Sequence, residues 1–324
     1  MILSASRRTD IPNYYSEWFF NRIRDGYLYV RNPMNAHQIS QIPLTPAVVD
    51  CIVFWTKNPQ PMLPRLDELA DYPYYFQFTL TGFGSDIEPY IPNKRTYMIP
   101  VFQELSRKIG REKVIWRYDP IIFTDKYTPE YHLNAFRQIA ENLCGYTGKC
   151  VISFVDLYKK TQKDMGTLNV HFLKERELIE FGRKIALTAN SYNIRVAACA
   201  ETVDLSACGI QPNCCIDKEL IQQIIGCRIR AKKDKNQRRE CGCIESIEIG
   251  TYDTCKNGCL YCYANSSPKR GSKNFHLYDV NSPLLCGKVE DNDFISERKV
   301  TSLRETQINL WDFPQNKPAM ERIP

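Results

Sequence analysis

Short apolar runs alternate with amphipathic stretches along most of the chain. Runs such as residues 51–55 are apolar throughout, which is typical of strands buried in a parallel sheet. Stretches such as residues 129–143 carry apolar side chains at helical spacing and predict crossover helices. The alternation of the two patterns therefore predicts an α/β fold whose parallel strands are joined by helices.

The pattern resolves into seven strands and at least five helices. The strands are predicted at residues 1–5, 51–55, 75–80, 114–118, 150–155, 194–200 and 244–249. The helices are predicted at residues 16–24, 101–109, 129–143, 173–190 and 218–225. Residues 27–49 look irregular or hairpin-like. This order favours a full or partial (β/α) barrel of the TIM type over an open sheet.

Chain length is compatible with a barrel and a modest remainder, because such a barrel takes roughly 250 residues and the chain has 324. We expect the barrel to span residues 1–265, with a cysteine-rich insertion at 199–243 and a cysteine loop at 255–262. Residues 266–324 are polar and patternless, and we expect them to form a tail that wraps the barrel. The chain shows no signal-peptide pattern and no apolar run near the roughly 18 residues of a membrane span. We therefore expect a cytoplasmic protein without membrane association.

Fourteen cysteines add candidate chemistry to this outline. Cytosolic thiols stay reduced, so clustered cysteines indicate metal or redox chemistry before disulfides. Cys51, Cys144 and Cys150 lie in predicted strands or at helix ends, where cysteine often acts as a small hydrophobic residue. The concentration of cysteines between positions 199 and 262 is harder to explain in that way. The four histidines have no ligand-like spacing and are interpreted as structural; they are His37, His132, His171 and His276.

The loop from Cys255 to Cys262 is the strongest candidate. Its C-x3-C-x2-C spacing lets three thiolates converge, with Asn257 and Gly258 supplying a turn that needs positive φ. The loop has no fourth cysteine, so a [4Fe–4S] cluster bound by Cys255, Cys259 and Cys262 would keep one iron free for an outside ligand. The alternative is a structural zinc site completed by a distant cysteine or histidine, but zinc sites usually come as two close pairs.

A second group of seven cysteines lies between positions 199 and 243. Two of them flank Gly242 and offer two thiolates from one turn, and another lies at a predicted strand end. We predict an auxiliary iron–sulfur cluster or another metal, with ligands from Cys199, Cys215, Cys241 and Cys243. The alternative interpretation is dispersed core and loop thiols.

Net charge is a mild +6 but is unevenly distributed, because residues 228–239 are strongly basic. Most such segments are simply solvated. The alternative is a site for phosphates, nucleic acid or an anionic substrate.

Polar residues also come after the predicted strands, at the edge where a barrel has its working face. Each could by itself be a surface ion pair, but agreement among five strand ends is less expected by chance. The residues are Arg7, Thr9, Asp10, Lys57, Arg117, Asp119 and Glu201.

The segment from Cys255 through Cys259-Leu-Tyr-Cys262-Tyr-Ala-Asn resembles the cluster motif of radical S-adenosylmethionine (SAM) enzymes, in the version seen in spore photoproduct lyase-like members. Over nearly its full length the chain also resembles a bacterial family known as domain of unknown function 1848, through residues 4–12, 54–59, 116–120 and 247–255. Ordinary radical SAM enzymes place the cluster after the first barrel strand. Here the photolyase-like elements Thr9-Asp10, Thr56-Lys57 and Asp119-Pro120 keep their order but precede the cysteines. A circularly permuted barrel would explain this arrangement.

The resemblance implies a mechanism in which the fourth iron of the [4Fe–4S] cluster binds SAM, and reductive cleavage of SAM releases a 5′-deoxyadenosyl radical that attacks the substrate. It implies cofactor-binding roles for Tyr261, Thr9, Asp10 and Arg7, and catalytic roles for Lys57, Arg117, Asp119 and Glu201. The usual Gly-Gly-Glu element for the SAM amine is not evident. The implied partners are a small-molecule or other unidentified substrate and an electron donor such as flavodoxin or ferredoxin.

Two other functions remain open. One is nucleic-acid repair of the photoproduct lyase type, for which residues 228–239 would contact the phosphates. The other is a non-catalytic iron–sulfur or zinc protein that binds a partner.

Overall fold

The computed structural model describes residues 1–155, 165, 166 and 168–305. Its strands are β1 Ile2–Ala5, β2 Tyr27–Asn32, β3 Asn35–Pro43, β4 Cys51–Thr56, β5 Tyr74–Thr79, β6 Val114–Ile121, β7 Lys149–Phe154, β8 Arg195–Ala198, β9 Gln211–Pro212, β10 Ile247–Glu248 and β11 Phe294–Glu297. Its α-helices are α1 Ile11–Tyr14, α2 Ser16–Asp25, α3 Ile99–Ile109, α4 Pro129–Leu143, α5 Glu175–Asn190, α6 Lys218–Ile225 and α7 Pro268–Phe275. Shorter 3₁₀ or π turns lie at Leu63–Leu69, Lys94–Met98, Arg111–Lys113 and Ser206–Cys208.

Eight strands form one parallel sheet in the order β10-β1-β4-β5-β6-β7-β8-β9. The predicted α/β fold is thereby confirmed, and the bounds of the seven predicted strands agree with the structure to within three residues. Strand β10 is shorter than expected, with two residues instead of six. Strand β9 was not predicted, because two residues are too few to show a period.

Strand β10 lies beside β1 although the two are far apart in sequence. Leu3 pairs with Ile247 and Ser4 pairs with Glu248, in parallel register. This neighbourhood is one that the permuted-barrel hypothesis requires. No closed barrel is detected in the described part of the chain, where β9 and β10 form the two ends of the sheet. A backbone hydrogen bond nevertheless links the segments next to those ends, from Ile244 N–H to the carbonyl of Ile216 (3.3 Å).

The two faces of the sheet bury different sets of side chains, as the two-residue period of a strand requires. One face packs against the helices: Phe54 stacks on Phe76 and Trp116 on Phe136, each pair with ring centroids 4.7 Å apart. The other face buries a second cluster that includes residues from five central strands and from the cysteine-rich segment: Ile2, Val53, Tyr75, Ile115, Val151, Cys215, Ile216, Cys243 and Ile244. The cysteine-rich segment, together with helix α6 through Ile221, therefore covers this second face of the sheet.

Residues 27–43 form the expected hairpin, in which β2 and β3 pair antiparallel and β11 joins β3 in parallel. Parts of the described segment 266–305 pack against the N-terminal part of the chain. The indole N–H of Trp18 donates to the carbonyl of Ser282 (2.8 Å), and the Met1 ammonium donates to the carbonyl of Thr301 (2.9 Å). Helix α7 and strand β11 were not predicted in this tail. The part of the predicted tail at 306–324 lies outside the described residues, and the domain boundary at 265 stays a prediction.

Among the helices of the described ranges, none combines the length and apolarity needed to cross a membrane.

Candidate functional site

The cysteine loop enters at the carboxyl edge of the sheet, directly after β10. Its approach to the neighbouring strand is close at Gly250, where an added Cβ would lie 1.8 Å from the hydroxyl of Ser6. A glycine is required because no side chain fits between the two chain segments. The exits of β1 and β10 therefore lie against each other, and the segments that leave these two strands share one edge of the sheet.

A hydrogen-bond network centred on Asp10 joins the loop to this edge. The side-chain amide of Asn257 donates to Oδ2 of Asp10 (2.9 Å), as does the backbone N–H of Lys57 (2.8 Å). Oδ1 of Asp10 accepts from the hydroxyl of Thr56 (2.7 Å) and from the backbone N–H of Asn13 (3.1 Å). Burial raises the pKa of Asp10, and these four donors offset part of that effect.

The side-chain carbonyl oxygen of Asn257 makes further hydrogen bonds. This Oδ1 atom accepts from the hydroxyl of Tyr14 (2.9 Å) and from the side-chain amide of Asn13 (3.2 Å). Gly258 follows at a φ of +67°, as predicted for this turn. The backbone N–H of Leu260 then donates to the carbonyl of Ile87 (3.1 Å), which fastens the second half of the loop.

The three thiols of the loop are free and largely removed from solvent. Burial raises the pKa of Cys255 and Cys262, and raises that of Cys259 to about 12. The nearby Lys57 ammonium works in the opposite direction on the pKa of Cys259. Because metals bind thiolates, loading this loop would release protons.

Three thiols in one short loop, two of them buried and that of Cys262 half-buried, are the donor set that an iron–sulfur cluster needs. A second observation fits the same edge of the sheet: the buried hydroxyl of Thr9 has no hydrogen-bond partner within the described structure. In residues 1–155, 165–166 and 168–305, however, no three Cys, His, Asp or Glu side chains are already arranged around a metal position. Metal binding would therefore require the thiols to turn towards one another.

Glu88 organises the other side of the loop. Its carboxylate accepts from Lys57 Nζ (2.6 Å), from the Thr81 hydroxyl (2.9 Å), from Lys94 Nζ and from the Tyr261 hydroxyl. Burial by itself would raise the pKa of Glu88, but the two ammonium groups lower it to about 2. Glu88 is thus a buried carboxylate that holds two cations and the aromatic residue before Cys262.

Arg7 lies on the β10 side of this edge. Its guanidinium is 3.6 Å from the Glu248 carboxylate, 3.9 Å from that of Asp234 and 5.7 Å from the centre of the Trp55 ring. Glu248 also accepts from the Ser4 hydroxyl (2.8 Å) and the Arg7 backbone N–H (3.0 Å). The arginine is therefore held between β1, β4 and β10.

Arg117 faces the other cysteine group. Its Nη1 donates to Sγ of Cys215 (2.9 Å), and its guanidinium pairs with Asp119. Asp119 also accepts from the Ser153 hydroxyl. Glu201 is directed to the end of β7, where it accepts from the backbone N–H of Phe154 (2.8 Å). The predicted site residues therefore fall into two neighbouring groups.

The first group contains Asp10, which bonds to Asn257 of the Cys255 loop, and Lys57, which shares the Glu88 carboxylate with Tyr261 of the loop. Thr9 directly precedes Asp10, and its hydroxyl has no hydrogen-bond partner in the described structure. The second contains Arg117 and Asp119 beside Cys215. Sequence reasoning missed Glu88 and Lys94, which lie in an irregular segment without a motif. It also missed Glu248, although an acidic residue between Ile247 and Ile249 in a predicted strand was an available signal.

Comparison with known families gives one match. The family described as Domain of unknown function (DUF1848) matches residues 2–264. The chain belongs to this family. In the DUF1848 match, both cysteine groups are included and the matched region ends two residues after Cys262. No curated protein and no solved structure matches the chain significantly.

Proposed function

We propose that this chain is a radical SAM-type iron–sulfur enzyme whose cluster is held by Cys255, Cys259 and Cys262. The observation that carries the proposal is the bond from Asn257 to Asp10 (2.9 Å), because it brings a three-cysteine loop to the carboxyl ends of parallel strands. When bound, the cluster and SAM together supply one-electron chemistry that produces a 5′-deoxyadenosyl radical. The substrate remains open.

The residues around the loop take different roles in this proposal. Asp10 and Glu88 are positioning residues, because their carboxylates already accept hydrogen bonds from the loop and from residues at neighbouring strand ends. Thr9 is a cofactor-binding residue, since its buried hydroxyl has no partner among the described residues. Tyr261 lines the site next to Phe83, with ring centroids 5.9 Å apart, and helps exclude water.

Arg7 and Lys57 are proposed to supply the positive charges that bind a carboxylate group of SAM or of the substrate. Both already pair with acids, Arg7 with Glu248 and Lys57 with Glu88. Binding of an anionic group would therefore add a partner to an existing ion pair, which keeps the cation oriented before the ligand arrives. Arg117, Asp119 and Glu201, on the adjacent strands, are proposed to face the substrate.

The permuted barrel belongs to the same proposal. The pairing of β1 with β10 supports it, since the last strand then occupies the position of the usual first. A second candidate function is photoproduct lyase-like nucleic-acid repair. The observation that favours it is an exposed basic segment near the site, with Lys232, Lys233 and Lys235 open to solvent.

Anaerobic reconstitution with iron and sulfide tests the proposal. We expect about four iron atoms per chain from the Cys255 loop, a reducible [4Fe–4S] signal in electron paramagnetic resonance that SAM alters, and formation of 5′-deoxyadenosine after reduction. The variant Cys255→Ala/Cys259→Ala/Cys262→Ala should lose all three properties. Cys144→Ala is the matched control, because that thiol is exposed on the end of α4.

The opposite result is equally clear. If the chain takes up only zinc, or if SAM leaves its iron–sulfur signal unchanged, the protein is a non-catalytic metal protein and the proposal is wrong. Repair of thymine-dimer DNA by the reconstituted chain would support the nucleic-acid repair function, and failure to bind DNA would exclude that function.

A further inference from the structure

We propose that Cys199, Cys215, Cys241 and Cys243 form a second metal site that binds a thiophilic metal through four thiolates, as a zinc ion or an iron–sulfur cluster. The four cysteines come from three chain segments: one segment comes after β8, one comes after β9 and one precedes β10. The site is separate from the Cys255 loop and does not depend on the radical SAM assignment.

Two of the four thiols are in contact, and the other two lie beside their segment. Sγ of Cys199 is 3.4 Å from Sγ of Cys215, and the backbone N–H of Ile216, the residue after Cys215, donates to Sγ of Cys243 (3.4 Å). Cys241 lies two residues before Cys243. The 3.4 Å separation is far longer than the about 2.05 Å of a disulfide. It is close to the roughly 3.8 Å between sulfurs of a tetrahedral site with Zn–S bonds of about 2.3 Å. Cys199 and Cys215 therefore already have a spacing close to that of two metal ligands, and the thiols of Cys241 and Cys243 would have to turn towards them.

The surroundings suit thiolates better than neutral thiols. Sγ of Cys215 accepts from Arg117 Nη1 (2.9 Å) and from the Asn213 side-chain amide (3.3 Å), and Sγ of Cys243 accepts from the Ile216 backbone N–H (3.4 Å). Neutral thiol sulfur is a weak acceptor. Three N–H donors around two sulfurs, one of them from a buried guanidinium, instead match the outer contacts that stabilise metal-bound thiolates.

Burial explains why this arrangement is more than a set of core thiols. Cys215, Cys241 and Cys243 are buried and pack in a cluster with aliphatic residues such as Ile216, Ile221 and Ile244. A buried guanidinium needs negative charge nearby. In the described structure Arg117 pairs with one carboxylate, that of Asp119, and its other contacts are the Gln77 amide oxygen and the Cys215 sulfur. A metal bound by four thiolates carries the negative charge that completes this balance.

The position gives the site a structural role. Cys199 and Cys215 come after the last strands at one end of the sheet, whereas Cys241 and Cys243 precede β10 at the other end. The backbone hydrogen bond from the Ile244 N–H to the carbonyl of Ile216 joins the residues that directly follow Cys243 and Cys215. A metal here would fasten the two ends of the sheet to each other beside the candidate active site.

Cysteine labelling of the unaltered chain tests the proposal without relying on any variant. The chain, purified without oxygen, is loaded with zinc or reconstituted with iron and sulfide, then treated with N-ethylmaleimide with or without prior chelation and analysed by mass spectrometry. We expect chelation to accelerate labelling of the four cysteines at least tenfold. Unchanged labelling, or a Cys199–Cys215 disulfide in metal-free protein isolated without oxygen, would overturn the proposal.

Metal analysis separates this site from the first one. The variant Cys255→Ala/Cys259→Ala/Cys262→Ala should keep either one zinc ion or one set of iron with inorganic sulfide, and the sulfide identifies which metal centre is present. Adding Cys199→Ala/Cys241→Ala should remove that remainder and lower the melting temperature. Cys208→Ala/Cys227→Ala is the matched control from the same segment. Loss of all metal in the first variant, with the fold intact by circular dichroism, would contradict a second site and leave the first one standing.

Discussion

Asn257, between the first two cysteines of the loop, donates its side-chain amide to the carboxylate of Asp10 across 247 positions of sequence, with 2.9 Å between the two atoms. Asp10 caps helix α1 through the backbone N–H of Asn13 and holds the exit of β4 through Thr56. One buried carboxylate therefore sets the position of the cysteine loop relative to two strands.

Asn257→Ala should weaken the fold and the attachment of the loop. The change leaves the Tyr14 hydroxyl and the Asn13 amide without their acceptor, and an unsatisfied buried group costs about 1–3 kcal/mol. We expect a decrease of that size in the free energy of unfolding, measured by urea denaturation, together with several-fold faster loss of iron after reconstitution. Asn134→Ala, on the exposed face of α4, is the control. An unaltered urea midpoint would show that the Asn257 contacts do not stabilise the loop.

Glu88→Gln should be strongly destabilising. The substitution removes the negative charge between Lys57 and Lys94, and a broken buried ion pair typically costs about 3–5 kcal/mol. The same measurement on Glu141→Gln, which is exposed on α4, should show almost no change. If the two variants lost equal stability, Glu88 would have no special role.

The pH dependence of stability is set in part by the same carboxylate. The pKa of Glu88 in the folded chain is lowered to about 2 from an ordinary value of 4.5. The unfolded chain therefore binds this proton at higher pH, so the contribution of Glu88 is present above about pH 4.5 and is lost as pH falls towards 2. Urea midpoints measured from pH 6 to pH 3 should fall more steeply for the unaltered chain than for Glu88→Gln. Parallel curves would contradict this assignment.

Gly250→Ala should separate the exits of β1 and β10. The new Cβ would lie 1.8 Å from the Ser6 hydroxyl and 2.5 Å from the Ser6 Cβ, so the backbone must move. Overpacking of this kind costs typically about 1–3 kcal/mol, and we expect a loss of stability in that range and reduced iron uptake. Gly148→Ala is matched, since its Cβ would meet Glu112 at an ordinary 3.4 Å. Equal behaviour of the two variants would argue against a close approach at Gly250.

Arg117→Lys should distinguish the two cysteine groups. A lysine cannot serve Cys215 and Asp119 together with the same geometry, because it lacks the planar, multi-donor guanidinium. We expect metal at the second site to fall at least tenfold while iron bound by the Cys255 loop is retained. The experiment is metal analysis of each site in the cysteine-to-alanine variants, with Arg137→Lys on α4 as control. Iron loss from the Cys255 loop alone would reverse the assignment of Arg117.

Much of the fold was predictable because its elements have strong local patterns. Helix α4 was predicted at its observed bounds, since Pro129 suits its first turn and its apolar residues recur at helical spacing. The structure adds a cap from the Thr128 side chain. Strand β9 and helix α7 were not predicted, because β9 is two residues long and α7 is polar on most of its surface. Their conformations depend on what they pack against.

Within the candidate site, residues at the ends of strands were the predictable part. Asp10 and Lys57 come shortly after apolar runs, and parallel strands bring such positions to one edge. Glu88 gave no signal, since a carboxylate in an irregular segment is ordinarily solvated. Only folding shows that Lys57, Lys94 and Tyr261 surround it.

The sequence by itself determined the order of strands and helices and the thiols available for a metal, because periodicity and cysteine spacing are local properties of the chain. Tertiary structure decided which groups share a site. It paired β10 with β1, placed Asn257 on Asp10, and brought Ile216 from one end of the sheet to Cys243 from the other. These groups are joined by hydrogen bonds and packing contacts between segments that are far apart in the chain. No local sequence pattern predicts such contacts.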